Sequence, residues 1–128
     1  FYQESKKVFT NRSNYSDSLF KNHIQKEIEK IYEIKSKKSI LVLGSPVTKE
    51  FFRNISNNNL NTQDKVLLKY GTELKEFGKE YKDVFYIDFI KIFEGYTPDQ
   101  IFIDNCCHFS PTSNKIIAEN LINILKNY

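Results

Sequence analysis

Two short apolar runs constrain this chain more than anything else in it. Ser39-Ile40-Leu41-Val42-Leu43 is stopped by Gly44-Ser45-Pro46, and Val84-Phe85-Tyr86-Ile87 ends at Asp88. Neither run is long enough for a buried helix, and neither alternates apolar with polar residues as a strand wetted on one face does. Continuous apolar runs bounded by breakers read as strands of a parallel sheet covered on both faces. Parallel neighbours need a crossover, usually a helix, to carry the chain back to the starting edge. The sequence between the runs supplies one. Val66, Leu67, Tyr70, Leu74, Phe77 and Tyr81 form the cleanest helical stripe in the chain. An α/β architecture with right-handed crossovers follows.

The remaining segments fit that frame. Phe1 to Asn14 has no clear period and reads as a loop. Ser16-Asp17-Ser18 is a cap cluster. It precedes a stripe of Phe20, Ile24, Ile28, Ile31 and Tyr32, so an amphipathic helix of about five turns is expected to end near Lys35. Val47 to Asn61 shows little pattern, and Asn57-Asn58-Asn59 marks a turn. Thr62 or Asp64 is the expected cap of the central helix, which carries Gly71 at a cost of roughly 1 kcal/mol relative to Ala. Phe89, Ile90, Ile92 and Phe93 suit one or two helical turns, and Thr97-Pro98-Asp99 is a turn signal. At 128 residues the chain is one domain or part of one.

Composition narrows the partners. A net charge of +3 and interleaved Lys and Glu lack the concentrated basic face of a nucleic-acid binder. The one cluster, Lys35, Lys37 and Lys38, falls on a solvated connector. No apolar run approaches the roughly 20 residues that cross a bilayer, so no membrane span is expected. The two cysteines are adjacent and neighbouring cysteines rarely pair, so a disulfide is not expected. Buried apolar filler is the ordinary role for one of them. Adjacent Cys106 and Cys107 lack the C-x₂₋₄-C spacing of a zinc site. Neither a metal nor a cofactor is expected.

The chemistry concentrates in Ile101 to Leu121, IFIDNCCHFSPTSNKIIAENL. Ser110-Pro111 is a helix start, with a hydroxyl for the orphan N–H groups and proline where no donor is needed. Ile116, Ile117, Leu121, Ile124 and Leu125 continue at helical spacing. His108 is thereby held on a loop ahead of a docked helix, a fixed imidazole of the kind general acid/base chemistry uses.

His108, Phe109, Ser110, Pro111, Asn114, Ile117 and Ala118 fall in step with the last block of the SGNH/GDSL hydrolases, which this stretch resembles over about twenty residues. Ser113 stands where that family has Gly. Asn105 stands three residues before the histidine, where it has Asp, and the nearest acid is Asp104. The resemblance implies a three-layer α/β/α, flavodoxin-like fold, with residues 1–128 forming a single α/β domain that is the C-terminal part of a larger hydrolase domain. It implies hydrolysis of a carboxylic ester, small-molecule or carbohydrate, by a Ser-His-Asp mechanism. His108 would be the base, oriented by Asp104 or by Asn105. The family's Gly-Asp-Ser segment has no convincing counterpart, so the nucleophile is expected upstream of Phe1 or on another chain. The chain alone is expected to lack esterase activity. A non-catalytic α/β binding or structural domain derived from such a hydrolase is the alternative.

Other candidates read as structure. Ser45 follows a strand and a glycine, but Pro46 comes next and no Asp intervenes, so a strand-ending turn is the reading. Asp88 at a strand end lies on the edge where α/β sites form, and serves equally as a helix cap. His23 reads as a half-exposed surface histidine.

Overall fold

The computed structural model describes residues 17–35 and 39–128. The expected loop over Phe1 to Asn14, the Ser16 end of the first cap and the Lys37-Lys38 pair lie outside the described residues. The elements are α1 (Asp17–Ile34), β1 (Leu41–Gly44), α2 (Lys49–Ser56), α3 (Thr62–Glu80), β2 (Val84–Ile87), α4 (Phe89–Ile92), α5 (Pro98–Ile101) and α6 (Pro111–Lys126). The fold is mixed and helix-rich, with one small sheet.

β1 and β2 pair in parallel, Leu41 against Val84 through Gly44 against Ile87. Among the described residues these two strands are the whole sheet. Leu43 and Val84 join Ile24 and Ile28 of α1 and Tyr70, Leu74 and Phe77 of α3 in one buried cluster. Ile24, Ile28, Ile31 and Tyr32 of the first stripe, and Tyr70, Leu74 and Phe77 of the second, are thus on the faces that the two long helices bury; the Phe20 side chain lies outside the described residues. α3 approaches the sheet closely at Gly71, where an added Cβ would stand 3.2 Å from the Ser45 Cβ and from the Tyr86 hydroxyl. That contact gives the mid-helix glycine its reason. On the other strand a Cβ at Gly44 would lie 2.7 Å from the Phe89 ring.

Three local readings are corrected. The cap of α3 is Asn61, not Thr62 or Asp64. Its side chain accepts from the Asp64 N–H, and the Asp64 carboxylate in turn accepts from the Asn61 N–H. Asp64 also accepts from Asn54 Nδ2 at 2.8 Å, which explains its burial. The unpatterned stretch after Val47 contains α2, capped by Thr48, whose hydroxyl accepts from the Phe51 N–H. Eight residues are too few for a helical period to declare itself, yet Phe51 and Phe52 are buried. The Thr97-Pro98-Asp99 turn opens a helical turn, α5, with Pro98 at its start.

A second cluster lies between α2, α4, α5 and α6. Val47, Phe51, Phe52, Phe93, Ile101 and Phe102 are buried in it together with Leu67 of α3, and Phe109, Ile116 and Ile117 pack against it. Along its second half α6 is less deeply docked, with Leu121 and Ile124 half-buried. Ile122 and Leu125, further along, are exposed. Ser110 caps α6 by accepting from the Ser113 N–H, and Pro111 follows, as the sequence indicates.

Candidate functional site

Phe102 and Phe109 form an isolated antiparallel bridge. The Ile103 N–H donates to the His108 carbonyl at 2.9 Å and the Ser110 N–H to the Ile101 carbonyl at 2.8 Å. These bonds tie off residues 103–108 as a closed loop. The neck is held from below, because the Phe102 and Phe109 rings stack with centroids 5.4 Å apart and Phe102 touches Phe52. The Ser113 hydroxyl, fully buried, donates to the Ile101 carbonyl at 2.8 Å. Ser113 therefore serves the neck.

Inside the loop the chain curls around one carboxylate. Asp104 Oδ1 accepts from the N–H groups of Cys106 (2.9 Å), Cys107 (3.0 Å) and His108 (3.3 Å). Its other oxygen, Oδ2, is bonded to His108 Nδ1. An ionised carboxylate only accepts, so Nδ1 carries the proton and a neutral His108 keeps its lone pair on Nε2. The His108 side chain is 77% exposed, and among the described residues Nε2 has no hydrogen-bond partner. The imidazole first, and then the three backbone donors, hold the Asp104 carboxyl well below the usual carboxylate range.

Of the two residues that could orient His108, Asp104 does so. The Asn105 side chain turns away, and its Oδ1 lies 3.5 Å from Lys49 Nζ. The extra residue between acid and histidine is taken up by the curl of backbone around Oδ1. That curl also corrects the reading of the cysteines. With two successive N–H groups aimed at one oxygen, the Cys106 and Cys107 side chains come together as a disulfide, and both residues are exposed rather than buried filler.

The other candidates stand apart from this pair. Ser45 is buried against α3, beside the Tyr86 hydroxyl at Gly71. Burial raises the Tyr86 phenol above its ordinary range. Asp88 caps α4, accepting from Ile90 N–H at 3.1 Å and Lys91 N–H at 3.2 Å. His23 is half-buried, with a covered Nε2 that has no partner among the described residues. Among the described residues no three His, Cys, Asp or Glu side chains are grouped to hold a metal ion. None of their helices is long and apolar enough to cross a membrane. A groove of about 760 Å³ runs between β2 and α6, and a cavity of about 190 Å³ lies beside Ser45 and Gly71. Neither Asp104 nor His108 lines either of them.

Lys49 is the site residue that sequence reading missed. No local signal pointed to it, because its contacts join segments far apart in the chain. No family model, curated protein or solved structure matches this chain.

Proposed function

We propose that this chain carries the base half of an SGNH/GDSL-like ester hydrolase. One observation supports it above the others: Asp104 holds His108 by Nδ1 and leaves Nε2 outward. Hydroxyl nucleophiles need a base so arranged, with a second group fixing its tautomer and stabilising the imidazolium. In this reading β1, β2 and their helices are the C-terminal portion of a three-layer, flavodoxin-like domain. A small-molecule or carbohydrate carboxylic ester is the substrate. The serine and its oxyanion donors come from a segment preceding Phe1 or from another chain. The nucleophile-bearing part would cover His108, excluding solvent from the imidazole and strengthening each electrostatic contact.

The test uses the parent reading frame. A Gly-Asp-Ser following a strand pattern, roughly 60 to 120 residues upstream, is expected from the usual size of strand–helix units. The polypeptide including it should turn over a simple aryl ester, while residues 1–128 alone should not. Asp104→Asn should lower turnover by roughly 10⁴, as the same exchange does in the serine-protease triad, and His108→Ala by at least as much. Turnover that is indifferent to His108→Ala would sink the proposal.

A second reading is a non-catalytic binding or structural domain derived from such a hydrolase. It is favoured by the absence, among the described residues, of a hydroxyl bonded to Nε2 and of His108 from the grooves above. A reading frame with no Gly-Asp-Ser upstream would select it.

A further inference from the structure

Lys49 is an unusual lysine. Its side chain is only 9% exposed, and Nζ lies 2.6 Å from Asp99 Oδ1. The partner is itself 84% exposed, at the start of α5. The ammonium holds the Asp99 carboxyl below its ordinary range. Burying an ammonium is costly, and against one solvated carboxylate the return in stability is small. A methylene-rich neutral side chain would fill the same space without that cost. Stability of the fold is therefore a poor account of this residue.

Its contacts suggest another. The Lys49 N–H donates to the Cys106 carbonyl at 2.8 Å, and Nζ approaches Asn105 Oδ1 at 3.5 Å. Among the described residues, these are the hydrogen bonds that reach the 103–108 loop from outside its own neck. They grip the two residues that follow Asp104. The neck fixes the loop's two ends, whereas Lys49 fixes its far side against the turn after β1. Without that grip the backbone donors to Asp104 Oδ1 are free to open, and the carboxylate loses the orientation from which it holds His108.

We propose that Lys49 is the positioning residue of the Asp104–His108 pair, linking α2, α5 and the loop through its amide and its ammonium. The proposal rests on the reading of that pair as a general base. Its test does not, because it follows the loop directly and needs no ester turnover.

Two variants of the chain are compared with the parent by amide hydrogen exchange at Cys106 and Cys107 and by carbon NMR of the Asp104 carboxyl during acid titration. Lys49→Met removes the ammonium. Asp99→Asn removes only its exposed partner, so folding is preserved even if the buried substitution is not tolerated. Exchange at both cysteine amides should rise roughly tenfold in Lys49→Met, and by less in Asp99→Asn, as the loop opens more easily. The Asp104 titration should move up toward the ordinary carboxylate value in the same order, while the denaturation midpoint changes little. Exchange and titration unchanged in a folded Asp99→Asn protein would overturn the proposal. So would a lowered denaturation midpoint accompanied by an undisturbed loop in Lys49→Met, which would make Lys49 merely structural. If the loop responds as expected but the extended polypeptide hydrolyses no ester, the positioning role stands and the functional reading fails.

Discussion

The two buried clusters of this molecule are built from different side chains and do different work. The one beneath the sheet mixes aliphatic residues from α1, β1 and β2 with Tyr70, Leu74 and Phe77 of α3. It joins long helices to strands, and its residues stand at regular helical or strand spacing. The one beneath the loop is dominated by rings: Phe51, Phe52, Phe93, Phe102 and Phe109. Its rings come from short elements and connections, where regular spacing cannot align a stripe, and the long helices α3 and α6 add Leu67, Ile116 and Ile117 at its border. Large flat rings tolerate such irregular supports, since edge-on and offset contacts hold at centroid separations of roughly 4.5–7 Å. Regular elements make the scaffold, and aromatic packing carries the irregular part that presents Asp104 and His108.

The strongest test of that division is a pair of truncations. Phe102→Ala should cost about 3–5 kcal/mol and Leu74→Ala about 2–5 kcal/mol in chemical denaturation. Phe102→Ala should also speed amide exchange at Cys106 and Cys107 beyond its global effect. Leu74→Ala should change that exchange only as far as overall stability falls. Equal local effects would erase the distinction between the clusters.

A smaller effect is expected where the sheet meets the ring cluster. Gly44→Ala places a methyl group against the Phe89 ring, which stacks on Phe93. Overpacking of this kind costs about 1–3 kcal/mol. If thermal and chemical denaturation are unaffected, Phe89 moves freely and the two clusters are mechanically separate.

The smallest effect on stability, and the most local one, concerns pH. Asp104 has a folded-state carboxyl lowered by His108 and the loop amides. A lowered carboxyl contributes fully above the unfolded value of about 3.9, and its contribution is lost as pH falls below that. The loop amides should therefore stay fully protected from neutral pH down to about pH 4, weaken progressively below it, and be released only as pH falls through the lowered folded-state value. In Asp104→Asn they should be unprotected throughout. The global midpoint should hardly change between about pH 7 and pH 5, because this side chain faces solvent.

Much of the scaffold was legible in the sequence, and for a clear reason. The stripes of α1 and α3 repeat with the helical period, and the two apolar runs are continuous and bounded by breakers, as buried parallel strands are. α2 was not legible, because its two turns offer Phe51, Phe52 and Ile55 and nothing further to repeat. The cap of α3 was misplaced by at least one residue, since Asn61, Thr62 and Asp64 are all plausible acceptors and only the folded chain sorts them. At the site, the choice between Asp104 and Asn105 was open because spacing alone does not say how a loop curls. Lys49 and the cysteine pair depended on contacts between distant segments or on that same curl, neither of which a local pattern encodes.

The separation of the site's own contacts along the chain has a kinetic consequence. Asp104 and His108 are four residues apart, so their contact closes a loop that forms quickly from the unfolded chain. Lys49 and Asn105 are 56 residues apart, and their meeting waits until the intervening helices and β2 have been brought together. The pair of side chains thus assembles early and loosely and is locked late. A folding intermediate with a formed sheet but an undocked α5 would hold its imidazole and carboxylate together without holding either in place.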